Sequence, residues 1–137
     1  METDLALLAD AATIDASGKI NILGIFDRIS VGSFPARHPR LCLVLRFQAG
    51  IQESGAHVVE ITFRRPGGEE LVRLDGEMRI APGPEGIAGA VRVPHILNLD
   101  GLVLPEPGLY GFDVRVDGAH LATIPLAVHG PQSGAEA

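Results

Sequence analysis

The sequence predicts an all-β protein: a single antiparallel β-sandwich, immunoglobulin-like or related, of about seven to nine strands. Glycine (17) and proline (10) punctuate the chain, at roughly ten-residue intervals that suit short strands joined by turns. The runs between them are β-branched and Leu-rich, and two of them carry strong hairpin signals. The 137 residues suffice for one domain with a core of its own. The expected sandwich spans residues 1–130, followed by a disordered tail at 131–137 within "GPQSGAEA".

Taken in order, the first element is Leu5–Ile14. "LALLADAA" has helical propensity, but the turn "DASGK" and an evident strand follow it, so an opening hairpin is the better reading. The next strand, "GKINILGIFDRI", holds Gly24 in its middle. Ile20 and Ile22 share one parity, whereas Ile25 and Ile29 share the other. Gly24 is therefore expected to be a bulge or bend where the strand changes the side it buries. A turn centred on Ser17 places Asp10 opposite Gly24. "GSFPARHPR" (Gly32–Arg40) is expected to be a loop. "LCLVLRF" alternates, with Leu41, Leu43, Leu45 and Phe47 on one face, and suits a central strand because Cys42 and Val44 make the other face half apolar.

"HVVEITFRRPGGEELVRLDGEMRI" predicts a hairpin around Pro66-Gly67. Pairing Arg65 with Gly68 sets Ile61 against Val72, Val59 against Leu74, Glu60 against Arg73 and Arg64 against Glu69. A longer loop at the tip is the alternative. "APGPEG" (Ala81–Gly86) is expected to be a loop and Ile87–Val93 a strand that ends, or lies at an edge, at Pro94. "ILNLDGLVLPEPG" is expected to carry apolar residues through a bend. In the closing hairpin Tyr110, Phe112, Val114 and Val116 face inward. The Asp117-Gly118 turn favours a two-residue loop, whereas hydrophobic matching pairs Phe112 with Ile124; a bulge near Thr123 reconciles them. Tyr110, just after a turn, is placed to hydrogen-bond back to the backbone, as in a tyrosine corner.

Composition excludes several functions. The net charge of −6 and scattered cations argue against nucleic-acid binding. No apolar run reaches the ~20 residues of a membrane span. The acidic start "METDLALLAD" is unlike a signal peptide, and the single Cys42 suits a reducing compartment, so a cytoplasmic location is expected. The bias to Arg, Ala, Gly and Pro suggests a bacterial source. The five histidines show no metal-ligand spacing, and no nucleophile or phosphate-binding motif appears; no cofactor or metal is expected.

The candidate polar residues are Asp10, Asp27, Arg28 and Arg46. Asp10 and Asp27 interrupt apolar faces and are expected to be buried, either as an acidic site or tied to Arg28, Arg46 or loop amides. The candidate interface comprises Phe34, Arg37, His38 and Arg40, with Leu102 and Val103 of "GLVLP". The expected function is a non-catalytic interaction or assembly module whose partner is another protein or a second copy. A small-molecule or carbohydrate-binding sandwich, with a pocket at Phe34, Tyr110 or Phe112, and an enzyme using Asp10 and Asp27 are the alternatives.

The stretches "LLADA", "GKINILGIFDRI" and "FPARHP", and in style "PGLYGFDVRVDGAHLATIPLAV", resemble a family of small bacterial proteins known as a domain of unknown function. The resemblance covers most of the chain. It implies a β-sandwich-like domain, no assigned activity and no functional residues.

Overall fold

Nine strands form two facing sheets in the computed structural model, which describes residues 1–81 and 90–131. They are β1 (Glu2–Ile14), β2 (Ile20–Phe26), β3 (Arg28–Ser30), β4 (Ala36–Gly50), β5 (Gly55–Arg64), β6 (Glu70–Ile80), β7 (Ala90–Leu104), β8 (Gly108–Val116) and β9 (Ala119–His129), with one 3-10 turn at Ile51–Glu53. One sheet has the order β2-β1-β4-β7 and the other β3-β9-β8-β5-β6. All pairings are antiparallel except β3 with β9, which is parallel. The all-β sandwich expectation stands. The four-plus-five arrangement, with β1 between β2 and β4, is not the four-plus-three arrangement of immunoglobulin constant domains.

The core lies between the sheets. Leu8, Leu41, Leu43, Leu45 and Phe47 supply one side, each 1% exposed or less. Val59, Ile61, Phe63, Tyr110, Phe112, Val114 and Leu126 supply the other. Phe63 stacks on Tyr110 with centroids 5.3 Å apart and tilts against Phe112 at 4.6 Å. Leu5–Ile14 is extended because Leu8 faces this core while Ala9 is buried on the opposite face, between β2 and β4. Two-sided burial in a sheet outweighs its helical propensity.

Gly24 does change the side that β2 buries. Ile20 and Ile22 pack with Ala9, Cys42 and Val44 on the outward face, whereas Phe26 packs into the core. The expected bulge is corrected in form. The ladder skips the Asp10–Gly24 level but keeps its register, since Ala11 faces Leu23 on one side and Ala9 faces Ile25 on the other. β1 switches at the same level, so neither strand gains a residue. Gly24 has φ +72°, and a Cβ there would lie 2.3 Å from Asp10 Oδ2; the missing side chain is the space that Asp10 occupies. The residue that turns inward is Phe26, whereas Ile25 stays 65% exposed. The same construction recurs between β4 and β7. The ladder skips Pro39–Gly101 without losing register, and Gly101 has φ +66°. Leu97 and Leu99 face the core before it, and Leu102 and Leu104 after it. The expected bend in "ILNLDGLVLPEPG" is thus this in-strand switch, and the strand runs on to Leu104. Pro94 lies in β7, an edge strand, as one of the two expected placements had it.

Other registers also differ. In the β5–β6 hairpin Ile61 faces Leu74, Val59 faces Gly76 and Thr62 faces Arg73. The longer tip is the reason: Gly68 N–H donates to the Arg65 carbonyl, Arg65 then pairs with Glu69, and the register shifts between Phe63 and Arg64. The offset is two residues, so the inward face is preserved. Glu60 still reaches Arg73 diagonally at 3.6 Å, but Arg64 pairs with Asp113 and not Glu69. In the closing hairpin Val116 faces Ala119 and Phe112 faces Ile124, with the shift at Val114/Arg115. Both expectations hold together, and the irregularity sits closer to the turn than Thr123. "GSFPARHPR" is a loop only through Pro35, since β4 begins at Ala36. The expected loop at Ala81–Gly86 after its first residue, the start of the Ile87–Val93 strand, and the tail from 132 onward lie outside the described residues.

Candidate interaction surface

The outward face of the four-stranded sheet is unusually apolar. Ala9, Cys42 and Val44 form a second cluster there, each 1% exposed or less, flanked by Leu5, Leu7, Ala12, Ile20, Ile22 and Ile96. The cluster follows from the alternation of β1 and β4, in which Leu5, Leu7, Ala9, Cys42 and Val44 take the parity opposite to the core. The Cys42 thiol donates to Asn98 Oδ1.

Ion pairs close both ends of this face. At one end Arg40 Nε lies 2.8 Å from Asp100 Oδ1. At the other Arg46 Nε and Arg92 Nε each lie 2.8 Å from an oxygen of Asp4. Their hydrogen bonds, Arg46's first, hold the Asp4 carboxyl below the usual carboxylate range despite partial burial. These charges are neutralised within the chain. What the face exposes is apolar surface, and it continues to the edge strand β2, where Ile25, opposite Ala9, is 65% exposed.

The residues expected to be buried polar groups are placed differently. Asp10, Asp27 and Arg28 are exposed, and Arg46 is half-exposed in its pair with Asp4. Asp10 escapes because the strand switches faces at its level. Asp27 escapes because the chain leaves one sheet for the other there, between β2 and β3. Among the described residues only its backbone is engaged, with Ala127 N–H donating to its carbonyl at 2.8 Å. Asp27 lines a shallow cleft with Leu8, Phe26 and Pro125, and Asp10 does not.

The candidate interface residues are dispersed. Phe34 packs on the core edge, and a Cβ on Gly130 would lie 2.5 Å from its ring. His38 is half-buried beside Phe26, with centroids 6.1 Å apart. Arg37 donates to the Gly101 carbonyl at 3.2 Å and Arg40 pairs with Asp100. Leu102 is a core residue at 7% exposure, while Val103 is exposed. Tyr110 and Phe112 are core residues as well, so the aromatic pocket expected for a carbohydrate is filled by the protein itself. Tyr110 does form the corner contact: its hydroxyl donates to the Glu106 carbonyl at 2.5 Å and accepts from Glu106 N–H at 3.0 Å.

Two polar arrangements and one largely apolar cleft were not foreseen. His57 bridges two loops, with Nδ1 2.6 Å from Asp117 Oδ2 and Nε2 2.6 Å from the Glu53 carbonyl. Both partners are acceptors, an arrangement that favours the doubly protonated ring; the Asp117 hydrogen bond, then the Glu53 one, raise its pKa. On the outward face of the five-stranded sheet, Thr123 donates to Asp113 at 2.8 Å and His120 Nε2 lies 2.8 Å from the Thr123 hydroxyl. Arg64 donates to the other Asp113 oxygen at 2.7 Å. Burial pushes Asp113 up, but these hydrogen bonds outweigh it and hold it below its ordinary value. With Thr123 donating to the carboxylate, the His120 ring is the donor in its contact with the Thr123 hydroxyl. A cleft of about 570 Å³ lies between the edge strands β6 and β7, lined by Leu71, Leu99, Leu102 and Pro105 with Arg65 and Asp100. None of these residues carries a local motif; only the shared faces set by the observed register bring them together. Among the described residues no group of three or more His, Cys, Asp or Glu is placed to hold a metal, and no helix is long and apolar enough to cross a membrane.

No curated protein matches the chain. Among solved structures, it is similar to Pseudomonas fluorescens alkylpurine DNA glycosylase AlkC bound to DNA containing an abasic site analog. The identity is 10% and the TM-score 0.48, covering 93% of this chain and 30% of that one. A likeness at that level carries no functional argument. A family model, described as a family of unknown function (DUF6941), matches residues 4–129, and the chain belongs to that family.

Proposed function

We propose that the chain is a non-catalytic, cytoplasmic interaction module that associates with further copies of itself through its four-stranded sheet. The observation that carries this reading is the second apolar cluster on that sheet's outward face, whose half-buried rim of Leu5, Leu7, Ile20, Ile22 and Ile96 adjoins exposed Ile25, opposite Ala9 on the edge strand. Monomeric proteins keep contiguous exposed apolar patches small, and larger ones rimmed by polar groups mark contact sites. The flanking charges are already paired, which favours a like surface over a strongly charged partner. Light scattering across micromolar concentrations tests the reading. A mass above that of one 14.4 kDa chain supports it, and a strict monomer overturns it.

The cleft between β6 and β7 supports a second reading, a module that holds a small apolar molecule against Leu71 and Leu99. Saturable binding of an apolar fluorescent probe, weakened by Leu99→Asp, would favour it. No catalytic role is proposed for Asp10 or Asp27.

A further inference from the structure

We infer that copies join edge to edge, with β2 of one copy adding antiparallel to β7 of the next, Gly24 opposite Gly101 and Leu23 entering the cleft between β6 and β7. This deepens the self-association reading and rests on it. β2 and β7 are the two end strands of the four-stranded sheet, so among the described residues each leaves one row of backbone groups without a strand to pair with. Folded proteins blunt such edges with charges or proline. Ile20–Phe26 has neither, and Leu97–Leu104 has only Asp100, which Arg40 neutralises.

The face switches select this pairing. Side chains directly opposite across a ladder share a face, so a strand added to β2 must change faces at the level of Gly24. In chain order β2 runs outward at Ile22 and inward at Leu23, then beyond Gly24 outward at Ile25 and inward at Phe26. β4 keeps the same order around Pro39, from Arg37 to Leu41. β1 has the reverse order: inward at Leu8 and outward at Ala9, then beyond Asp10 inward at Ala11 and outward at Ala12. β7 repeats β1, with Leu99 inward and Asp100 outward, then beyond Gly101 Leu102 inward and Val103 outward. The sheet order β2-β1-β4-β7 therefore alternates two strand types, and the next strand in that series is another β2. Pairing β2 with itself across a two-fold axis, or with β7 in parallel, sets inward residues against outward ones.

The antiparallel register opposes Phe26 to Leu99, Leu23 to Leu102 and Ile22 to Val103. Leu23 and Val103, 71% and 45% exposed in one copy, lose water together. Leu23 points toward the cleft of about 570 Å³ whose lining includes Leu71 and Leu102. Two glycines meet at the switch level, so no side chain has to be housed there. The contact joins unlike edges, so each added copy leaves one β2 and one β7 free, and assembly continues beyond a dimer.

Blocking one edge at a time tests the pairing by light scattering. Leu23→Asp spoils the β2 edge and Val103→Asp the β7 edge, and each is expected to raise the dissociation constant about tenfold to a hundredfold. Mixed, the two variants are expected to form a one-to-one dimer that grows no further, because the first keeps an intact β7 and the second an intact β2. Both positions are exposed, and circular dichroism of each variant checks that it is folded. Val72→Asp, at the same cleft and 37% exposed, replaces Val103→Asp should that variant unfold. A wild-type assembly that stops at a dimer, that either variant leaves unmoved, or that mixing does not restore overturns the β2–β7 pairing while leaving self-association standing. A wild-type monomer at tens of micromolar overturns both, whether its cleft takes up a small apolar probe or the chain binds only an unrelated protein.

Discussion

Replacing Gly24 with alanine tests the shared face switch of β1 and β2. Gly24 has φ +72°, where an L-residue costs about 1–2 kcal/mol. The added Cβ would sit 2.3 Å from Asp10 Oδ2, 2.9 Å from its Cγ and 3.1 Å from its Cβ. The carboxylate can swing into solvent, but the Cγ contact forces Asp10 off its rotamer, at about 0.5–1.5 kcal/mol. Restricting the unfolded chain returns about 0.4–1 kcal/mol. The net expected loss is therefore about 2 kcal/mol. In urea, at an m-value of about 2 kcal/mol/M, the midpoint should fall by about 1 M at fixed protein concentration. Asp10→Ala alone should change stability little, because Asp10 is exposed. Combined with Gly24→Ala it should recover part of the loss and leave the backbone component, a non-additivity expected only of residues in contact. A Gly24→Ala variant as stable as the wild type, or strictly additive behaviour of the pair, would refute the reasoning.

Tyr110→Phe removes a buried hydroxyl bonded to both backbone groups of Glu106; a loss of about 1–3 kcal/mol is expected by chemical denaturation. Leu43→Ala, at a fully buried core position, should cost about 2–5 kcal/mol in the same assay. The raised His57 pKa stabilises the folded chain fully below the unfolded value of about 6.5 and is lost as pH rises through the folded value. Denaturant midpoints should therefore decline as pH rises from about 6.5 through the folded value, and the decline should flatten in His57→Gln. Asp117 is lowered by the Val58 N–H, then by His57, so its contribution is present above about 3.9 and lost as pH falls through its folded value. Measuring the wild type and Asp117→Asn below pH 5 checks this arm.

Much of the fold was legible because the core strands obey simple alternation. "LCLVLRF" and "LYGFDVRV" place Leu43 and Phe112 inward by parity alone, and both are 0% exposed. The parity change around Gly24 was also visible in the sequence. Its partner was not: Asp10 shows its role only when β1 and β2 are paired, and the matching switch at Pro39–Gly101 joins residues sixty-two positions apart. The burial of Asp10 was misjudged for the same reason, since alternation was carried through a level where the strands stop alternating, and that of Asp27 because alternation was carried across the passage from one sheet to the other. The interaction surface was only half legible. Cys42 and Val44 marked a two-sided strand, but Leu7, Ala9, Ile22 and Ile96 joined them only through the order β2-β1-β4-β7. His57 and Asp117 came together across loops that no local pattern links.

The most direct test of the central claim is amide hydrogen exchange across Ile20–Phe26 as a function of protein concentration. If the four-stranded sheet joins a second copy, exchange in β2 should slow at high concentration and quicken on dilution below the dissociation constant, while the core amides of β4 stay unchanged. Exchange in Ile20–Phe26 that is fast and independent of concentration, in a chain that is associated by mass, would contradict the claim.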